Sequence, residues 1–235
     1  EKIFNGTMTI DYKRKNLFNL LEILDEKQLL YEVDSSIDKI IKSQINKEDS
    51  FKKLSQKALF IKNNDPSVSD ELMLFTRTLN SHMKRRLYDF QLKASFHMAI
   101  AENSCNFSVP GSGKTSIVYG AYTYLKKINK VSKILVVGPL SSFAPWKKEY
   151  MECFGKKADF MNLSEVNSES KRDYLNSHPY LHKELNFINY EGFTSTIDSF
   201  VEFTKKNKLM IVLDEAHKIK NPNALRSRLV MQLSE

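Results

Sequence analysis

The chain has 235 residues, 36 Lys and Arg against 28 Asp and Glu, 41% hydrophobic and 27% charged residues, so a disordered or fibrous chain is excluded. No apolar run approaches the ~18–20 residues that cross a bilayer, and no N-terminal basic, apolar and small-residue pattern marks an export signal. Cys105 and Cys153 are its only cysteines, too few for a disulfide framework or a zinc site, so an intracellular, cytoplasmic setting is expected, nuclear in a eukaryote.

The first residue is Glu1, which leads us to expect a natural start further upstream. Residues 1–85 read as a mostly helical segment. Leu17, Leu20, Leu21 and Leu24 repeat at helical spacing, as do Ile37, Ile40 and Ile41, then Phe51, Leu54 and Ala58. Asn63-Asn64-Asp65-Pro66 breaks the pattern with turn chemistry. A further helix is expected from near Ser67 to Asp70, with Leu72, Phe75 and Leu79 on its apolar face. This segment carries 15 basic and 13 acidic residues and no catalytic constellation.

From Arg86 the pattern changes. Short apolar runs at 107–109, 134–137, 187–190 and 209–213 read as buried strands. Between them lie helix-length stretches at 115–126, 142–154, 168–176 and 194–205. This alternation predicts an α/β fold, a parallel sheet flanked by helices. Most of the excess charge lies here, with 21 basic against 15 acidic residues.

Glycine is scarce, seven in all, yet Gly111 and Gly113 stand one residue apart. The stretch Ser108-Val109-Pro110-Gly111-Ser112-Gly113-Lys114-Thr115 follows a strand-like run and opens a helix-like one, the order of a phosphate loop. Glycines let backbone N–H groups turn inward around phosphate oxygens, and the following helix adds its positive end. Lys114 has the reach for β- and γ-phosphates, and Thr115 can place a hydroxyl on Mg2+. The alternative is a glycine turn that opens an unrelated helix. A second constellation is Leu213-Asp214-Glu215-Ala216-His217, an acidic pair behind four apolar residues. It falls at the C-terminal end of a strand, where open α/β sheets bind ligands. Asp214 suits Mg2+, held through water, and Glu215 suits a water that must be oriented and polarised. The alternative is that the two acids cap the next helix.

Asp214-Glu215-Ala216-His217 followed by Lys218-Ile219-Lys220-Asn221 resembles motif II of the Swi/Snf-type DEAH-box ATPases of helicase superfamily two. Other stretches agree in order and spacing. Leu87-Tyr88-Asp89-Phe90-Gln91 resembles the motif whose glutamine reads the adenine, and residues 108–115 resemble motif I. Val136-Val137-Gly138-Pro139-Leu140-Ser141, with Trp146 and Glu149 after it, resembles motif Ia. Phe187-Ile188-Asn189-Tyr190-Glu191 resembles the strand and turn of the next motif. The resemblance covers 86–235 and not 1–85. Ser108 and Pro110 depart from the family's usual phosphate loop.

The resemblance implies that 86–235 is a RecA-like P-loop lobe, the first of two, that binds ATP and runs along duplex DNA. It assigns Gln91 to the adenine and the loop Pro110, Gly111, Ser112, Gly113, Lys114 and Thr115 to the phosphates. Thr115 and Asp214 would hold Mg2+, Glu215 would serve hydrolysis, and His217 would couple the ATP site to the neighbouring motif. Pro139, Leu140 and Ser141 are expected at a DNA backbone. The chain stops before motif III, so the second RecA-like lobe with its arginine finger is expected in a missing C-terminal part. The 235 residues alone are expected to be near-inactive.

The function so implied is ATP hydrolysis coupled to movement on duplex DNA. Two alternatives stand beside it: a nucleotide-responsive DNA-binding or scaffold module without turnover, and the motor subunit of a restriction or phage-defence system. Remaining features read more plainly. Lys84-Arg85-Arg86 is expected as a solvated helix end. Trp146 is expected to pack against the sheet, and Tyr119, Tyr122 and Tyr124 to pack in or beside the core. Cys105 is expected to be a buried, inert thiol.

Overall fold

The structure is a computed structural model that describes residues 2–4, 7–9, 14–29, 31–63, 65–101 and 103–216. It divides into two compact units, Glu1–Lys53 and Leu54–Glu235. In the first, β1 (Lys2–Phe4) and β2 (Thr7–Thr9) pair antiparallel, a hairpin that the helical reading of this segment does not contain. Helix α1 (Arg14–Glu26) follows, and α2 (Ser35–Lys62) begins. Asp34 opens α2 by accepting the Ser36 N–H at 2.8 Å, which satisfies one of the donors a helix start leaves over. The apolar stripes at 37–41 and 51–58 lie on this one continuous helix.

The second unit starts within the last turns of α2. Asp65 caps a short 3-10 turn by accepting from Ser67 N at 2.8 Å, and α3 (Ser69–His82) and α4 (Asp89–Ile100) come next. Then strands and helices alternate: α5 (Lys114–Lys127), β3 (Lys133–Val137), α6 (Phe143–Phe154), β4 (Phe160–Asn162), α7 (Ser168–Asn176), β5 (Leu185–Ile188), α8 (Tyr190–Ser195), α9 (Ile197–Lys206) and β6 (Leu209–Leu213). The stretch expected as one helix at 194–205 is two, because Thr196 leaves helical geometry at φ −132°.

The sheet has the order β4-β5-β3-β6 with every pair parallel. Side chains alternate across it, as the pleat requires. Ile134, Val136 and Phe187 face a core shared with α3, α4, α5 and α6. Leu135, Val137 and Ile188 face a second core with Phe193, Phe200 and Phe203. Both faces are therefore covered, which explains the apolar run at 134–137 of β3; in β5 the buried Asn186 interrupts the run and accepts the Tyr174 hydroxyl at 2.7 Å. This is the α/β fold, a parallel sheet flanked by helices, that the alternation predicts and the RecA-like lobe that the resemblance implies, preceded by a mostly helical segment.

One expected strand is absent. Phe107-Ser108-Val109 forms no ladder. Asn106 Oδ1 accepts from the Ser108 N–H at 3.0 Å and from its hydroxyl at 2.5 Å, and this local turn uses the donor that a ladder would need. Phe107 is 93% exposed and Val109 72%. The fourth strand is instead β4, which at three residues is too short to be read from periodicity. Among the described residues no helix is long and apolar enough to cross a membrane.

The change of pattern at Arg86 is a change of element type inside one packed unit. Phe75 of α3 is fully buried, 5.3 Å from the Phe96 ring of α4 and 5.1 Å from the Tyr124 ring of α5. Phe75→Ala should cost about 3–5 kcal/mol, the range for an aromatic removed from a core. Thermal denaturation should show one transition at lower temperature. An undisturbed sheet transition with a separate early loss of helix would show that α3 and α4 fold apart from the sheet.

Candidate functional site

The parallel register brings three loop starts to one edge of the sheet. Val137 of β3 pairs with Ile188 of β5 and Leu213 of β6. Gly138, Asn189 and Asp214 therefore leave the sheet side by side at its C-terminal edge, where an open α/β sheet takes its ligands. Asp214 donates its N–H to the Val137 carbonyl at 2.8 Å, and the Tyr190 hydroxyl donates to the Asp214 carbonyl at 2.8 Å. The backbone of Asp214 is thus held by β3 on one side and by the first residue of α8 on the other.

The loop before α5 has the build of a phosphate cradle. Gly111 and Gly113 both lie in the left-handed region, at φ +81° and +79°. A Cβ at Gly111 would meet nothing within 4 Å, whereas one at Gly113 would lie 2.4 Å from Gln91 Nε2. The Ser112 hydroxyl between them is buried and has no hydrogen-bond partner. A buried donor without a partner is costly unless a ligand supplies one. Lys114, the first residue of α5, is exposed, and Thr115 beside it is half-buried. An open concavity, an orphaned hydroxyl and a helix start fit a phosphate group.

Gln91 is buried and fully engaged. Its Nε2 donates to the Ser112 carbonyl at 2.9 Å, and its Oε1 accepts the Tyr88 N–H at 3.0 Å. It thereby ties the start of α4 to the loop. Next to it, Tyr88 and Phe90 are 71% and 55% exposed and lie parallel, with centroids 6.1 Å apart. No periodicity argument singles out that pair; only the exposure of two large rings beside the loop does.

At the acidic pair, Asp214 is half-buried. One carboxylate oxygen, Oδ1, accepts the Glu215 N–H at 3.0 Å, and the other, Oδ2, accepts the Trp146 indole N–H at 3.0 Å. Glu215 is exposed and sits at φ +53°, a left-handed conformation that costs a non-glycine residue about 1 kcal/mol or more. Among the described residues no group of three His, Cys, Asp or Glu could enclose a metal ion. A single carboxylate suits Mg2+, which keeps most of its waters and is completed by substrate phosphates. His217 lies outside the described residues.

Helix α6 connects the loop to the acidic pair. Glu149 accepts from the Ser116 hydroxyl of α5 and pairs with the Arg85 guanidinium, whose other nitrogen lies 3.5 Å from Glu152. Arg85, expected as part of a solvated helix end, is therefore an ion-pair partner. Three residues before Glu149, Trp146 is buried against Tyr119 of α5, and Tyr119 donates its hydroxyl to the Trp146 carbonyl at 2.9 Å. Burial pushes the Tyr119 hydroxyl pKa well above its ordinary value, so this donor stays protonated. The segment before α6 exposes Leu140 and Ser141 and half-buries Pro139. Cys105, expected to be buried, is exposed, whereas Cys153 is buried and its thiol is pushed up to about 11, chiefly by burial.

A family model described as "Type III restriction enzyme, res subunit" matches residues 101–233. No curated protein matches the chain. Among solved structures it is similar to "Sulfolobus solfataricus SWI2/SNF2 ATPase core in complex with dsDNA", with 24% identity and a TM-score of 0.50. The similarity covers 63% of this chain and 30% of that one, so this chain spans less than a third of that protein's length. At this identity the likeness speaks for the fold.

The loop geometry is testable by stability alone. Gly111→Ala should cost roughly 1–2 kcal/mol, the price of a side chain in the left-handed region. Gly113→Ala should cost about 1 kcal/mol more, because its Cβ must also displace the Gln91 amide from Ser112. Denaturant titration of both, each with and without Gln91→Ala, measures the difference. Equal losses at the two glycines would show that Gln91 does not brace the loop.

Proposed function

The chain belongs to the family of type III restriction enzyme res subunits and carries a helicase-like ATPase lobe of superfamily two; on that premise we propose that it is the first RecA-like lobe of a Swi/Snf-type, DNA-dependent ATPase. The reaction is hydrolysis of ATP with Mg2+, coupled to movement along duplex DNA in the cytoplasm. The observation that carries this reading is the glycine loop between Gly111 and Thr115, with its unpartnered Ser112 hydroxyl, beside a parallel sheet whose edge strand β6 ends at Asp214-Glu215. The DEAH-box assignment rests on residues 214–217.

In this reading Gly111 and Gly113 present backbone N–H groups to the β-phosphate, Ser112, whose own N–H goes to the Val109 carbonyl at 3.2 Å, offers its hydroxyl, and Lys114 neutralises the β/γ pair. Thr115 and Asp214 would hold the ion, which would supply charge neutralisation for the transferring phosphoryl group. Glu215 orients the attacking water and accepts its proton. Gln91 exchanges its bond to Ser112 for one to the adenine edge. Pro139, Leu140 and Ser141 meet a DNA backbone, and His217 connects the site to the next motif. The second RecA-like lobe, elsewhere in the complete protein, closes the site and adds the arginine finger.

The family description favours one more specific setting, the motor subunit of a restriction or phage-defence system. Cleavage of duplex DNA by the complete protein or its complex would support it. ATP turnover and movement without cleavage would favour a remodelling motor.

Lys114→Ala removes a charge-assisted contact of about 1.5–3 kcal/mol, so ATP should bind roughly 10–150-fold more weakly. Equilibrium binding of a labelled ATP analogue to the 235-residue chain measures this, and equal affinity would overturn the phosphate-loop assignment. In the complete enzyme, Glu215→Gln should leave ATP binding near the parent's while hydrolysis falls by about 10²–10⁴. Unchanged turnover would remove Glu215 from the chemistry.

The 235 residues alone should hydrolyse ATP barely above background, since an arginine finger contributes about 10³–10⁵ in rate. Duplex DNA should not rescue them. A DNA-stimulated rate of order 1 s⁻¹, with Lys114→Ala inactive as control, would show that the second lobe is dispensable.

A further inference from the structure

The indole of Trp146 is a buried donor aimed at the acidic pair. Its ring is 4% exposed and meets Tyr119 edge to face at 5.3 Å. Packing would account for a buried aromatic, but it does not account for the direction of the N–H. That N–H lies 3.0 Å from Asp214 Oδ2, while Asp214 Oδ1 is held by the Glu215 N–H. The carboxylate therefore has one donor on each oxygen, and its plane is fixed from two sides. The two donors differ in origin. The Glu215 N–H is local to the turn after β6. The Trp146 N–H comes from α6, a separate element pinned in turn by the Tyr119 hydroxyl and by the Ser116–Glu149 contact.

We propose that Trp146 is a positioning residue for the magnesium-binding carboxylate of Asp214. It sets the rotamer that leaves the carboxylate's remaining lone pairs facing the ion. Groups that orient a metal ligand in this way typically change metal affinity by about 10–100-fold when removed. The inference rests on the reading of Asp214 as the Mg2+ ligand. It adds a residue that touches neither nucleotide nor ion, and it assigns α6 the task of holding the ligand's orientation.

Trp146 is the chain's single tryptophan, so it reports on its own contact. The test uses the 235-residue chain in two arms. In the first, Trp146→Phe keeps an aromatic ring against Tyr119 and removes the donor together with the five-membered part of the indole. At saturating labelled ATP analogue, the Mg2+ concentration that gives half-maximal binding should rise about tenfold, the low end of the range for such groups. Binding without Mg2+ should match the parent's; a general packing defect would weaken both. In the second arm, intrinsic fluorescence follows the parent and Asp214→Asn. Adding Mg2+ to the ATP-bound parent should shift the emission of Trp146, because the carboxylate that accepts its N–H acquires a cation. In Asp214→Asn the shift should vanish.

Should Trp146→Phe not fold, the second arm alone decides. A parent with Mg2+-dependent binding, but with no emission change and the same Mg2+ midpoint in Trp146→Phe, overturns the role of Trp146 and leaves the ATP site standing. A parent whose ATP binding ignores Mg2+ altogether overturns the reading of Asp214, and this inference with it.

Discussion

Glu149 accepts from the Ser116 hydroxyl and the Arg85 guanidinium, and one turn earlier on the same helix Trp146 donates to Asp214. These contacts make α6 the brace of the candidate site. The phosphate loop opens α5, and Ser116 lies one residue beyond Thr115 on that helix. The acidic pair ends β6. No backbone ladder joins the two, because the loop is not preceded by a strand that pairs with the sheet. Their relative position depends on side chains of α6 and on the buried Tyr119 hydroxyl, which holds the Trp146 carbonyl. Each of these donors and acceptors is partly or fully withdrawn from water, so each would be costly to leave unpaired.

The loop shows the complementary situation, in which the protein leaves room. Two left-handed glycines create a concavity without side chains, and Gln91 fills the one approach that a Cβ at Gly113 would block. The Ser112 hydroxyl is then buried without a partner. A buried hydroxyl of this kind is a small unfavourable term in the ligand-free protein, which a polar ligand would relieve. The left-handed Glu215 after β6 is a second local cost.

Helices α3 and α4 matter to the site although neither carries its acidic pair. Phe75 buries itself against Phe96 and Tyr124, so α3 packs on the far end of the helix that the phosphate loop opens. Gln91 and Arg85 reach the loop and α6 from this same stretch of chain. The helices before the sheet are therefore part of what holds the loop in shape.

The amino-acid sequence by itself determined the parallel α/β class, three of the four sheet strands, the helix start after the paired glycines and the acidic pair at a strand end. Each of these is written locally: apolar runs at 134–137, 187–190 and 209–213, paired glycines before Lys114, and Asp214-Glu215 after Leu213. The tertiary structure decided what depends on partners distant in the chain. The run at 107–109 has strand-like composition, yet Asn106 turns it away from a ladder. The three-residue strand β4 exists because β5 offers an edge to pair with. Arg85 looked like a solvated cation until folding brought Glu149, 64 residues away, to it. Trp146 read as core from its hydrophobicity, and it is core, but a buried indole also needs an acceptor for its N–H. That acceptor is Asp214, 68 residues further on, and no periodicity or spacing encodes a hydrogen bond between side chains so far apart in sequence.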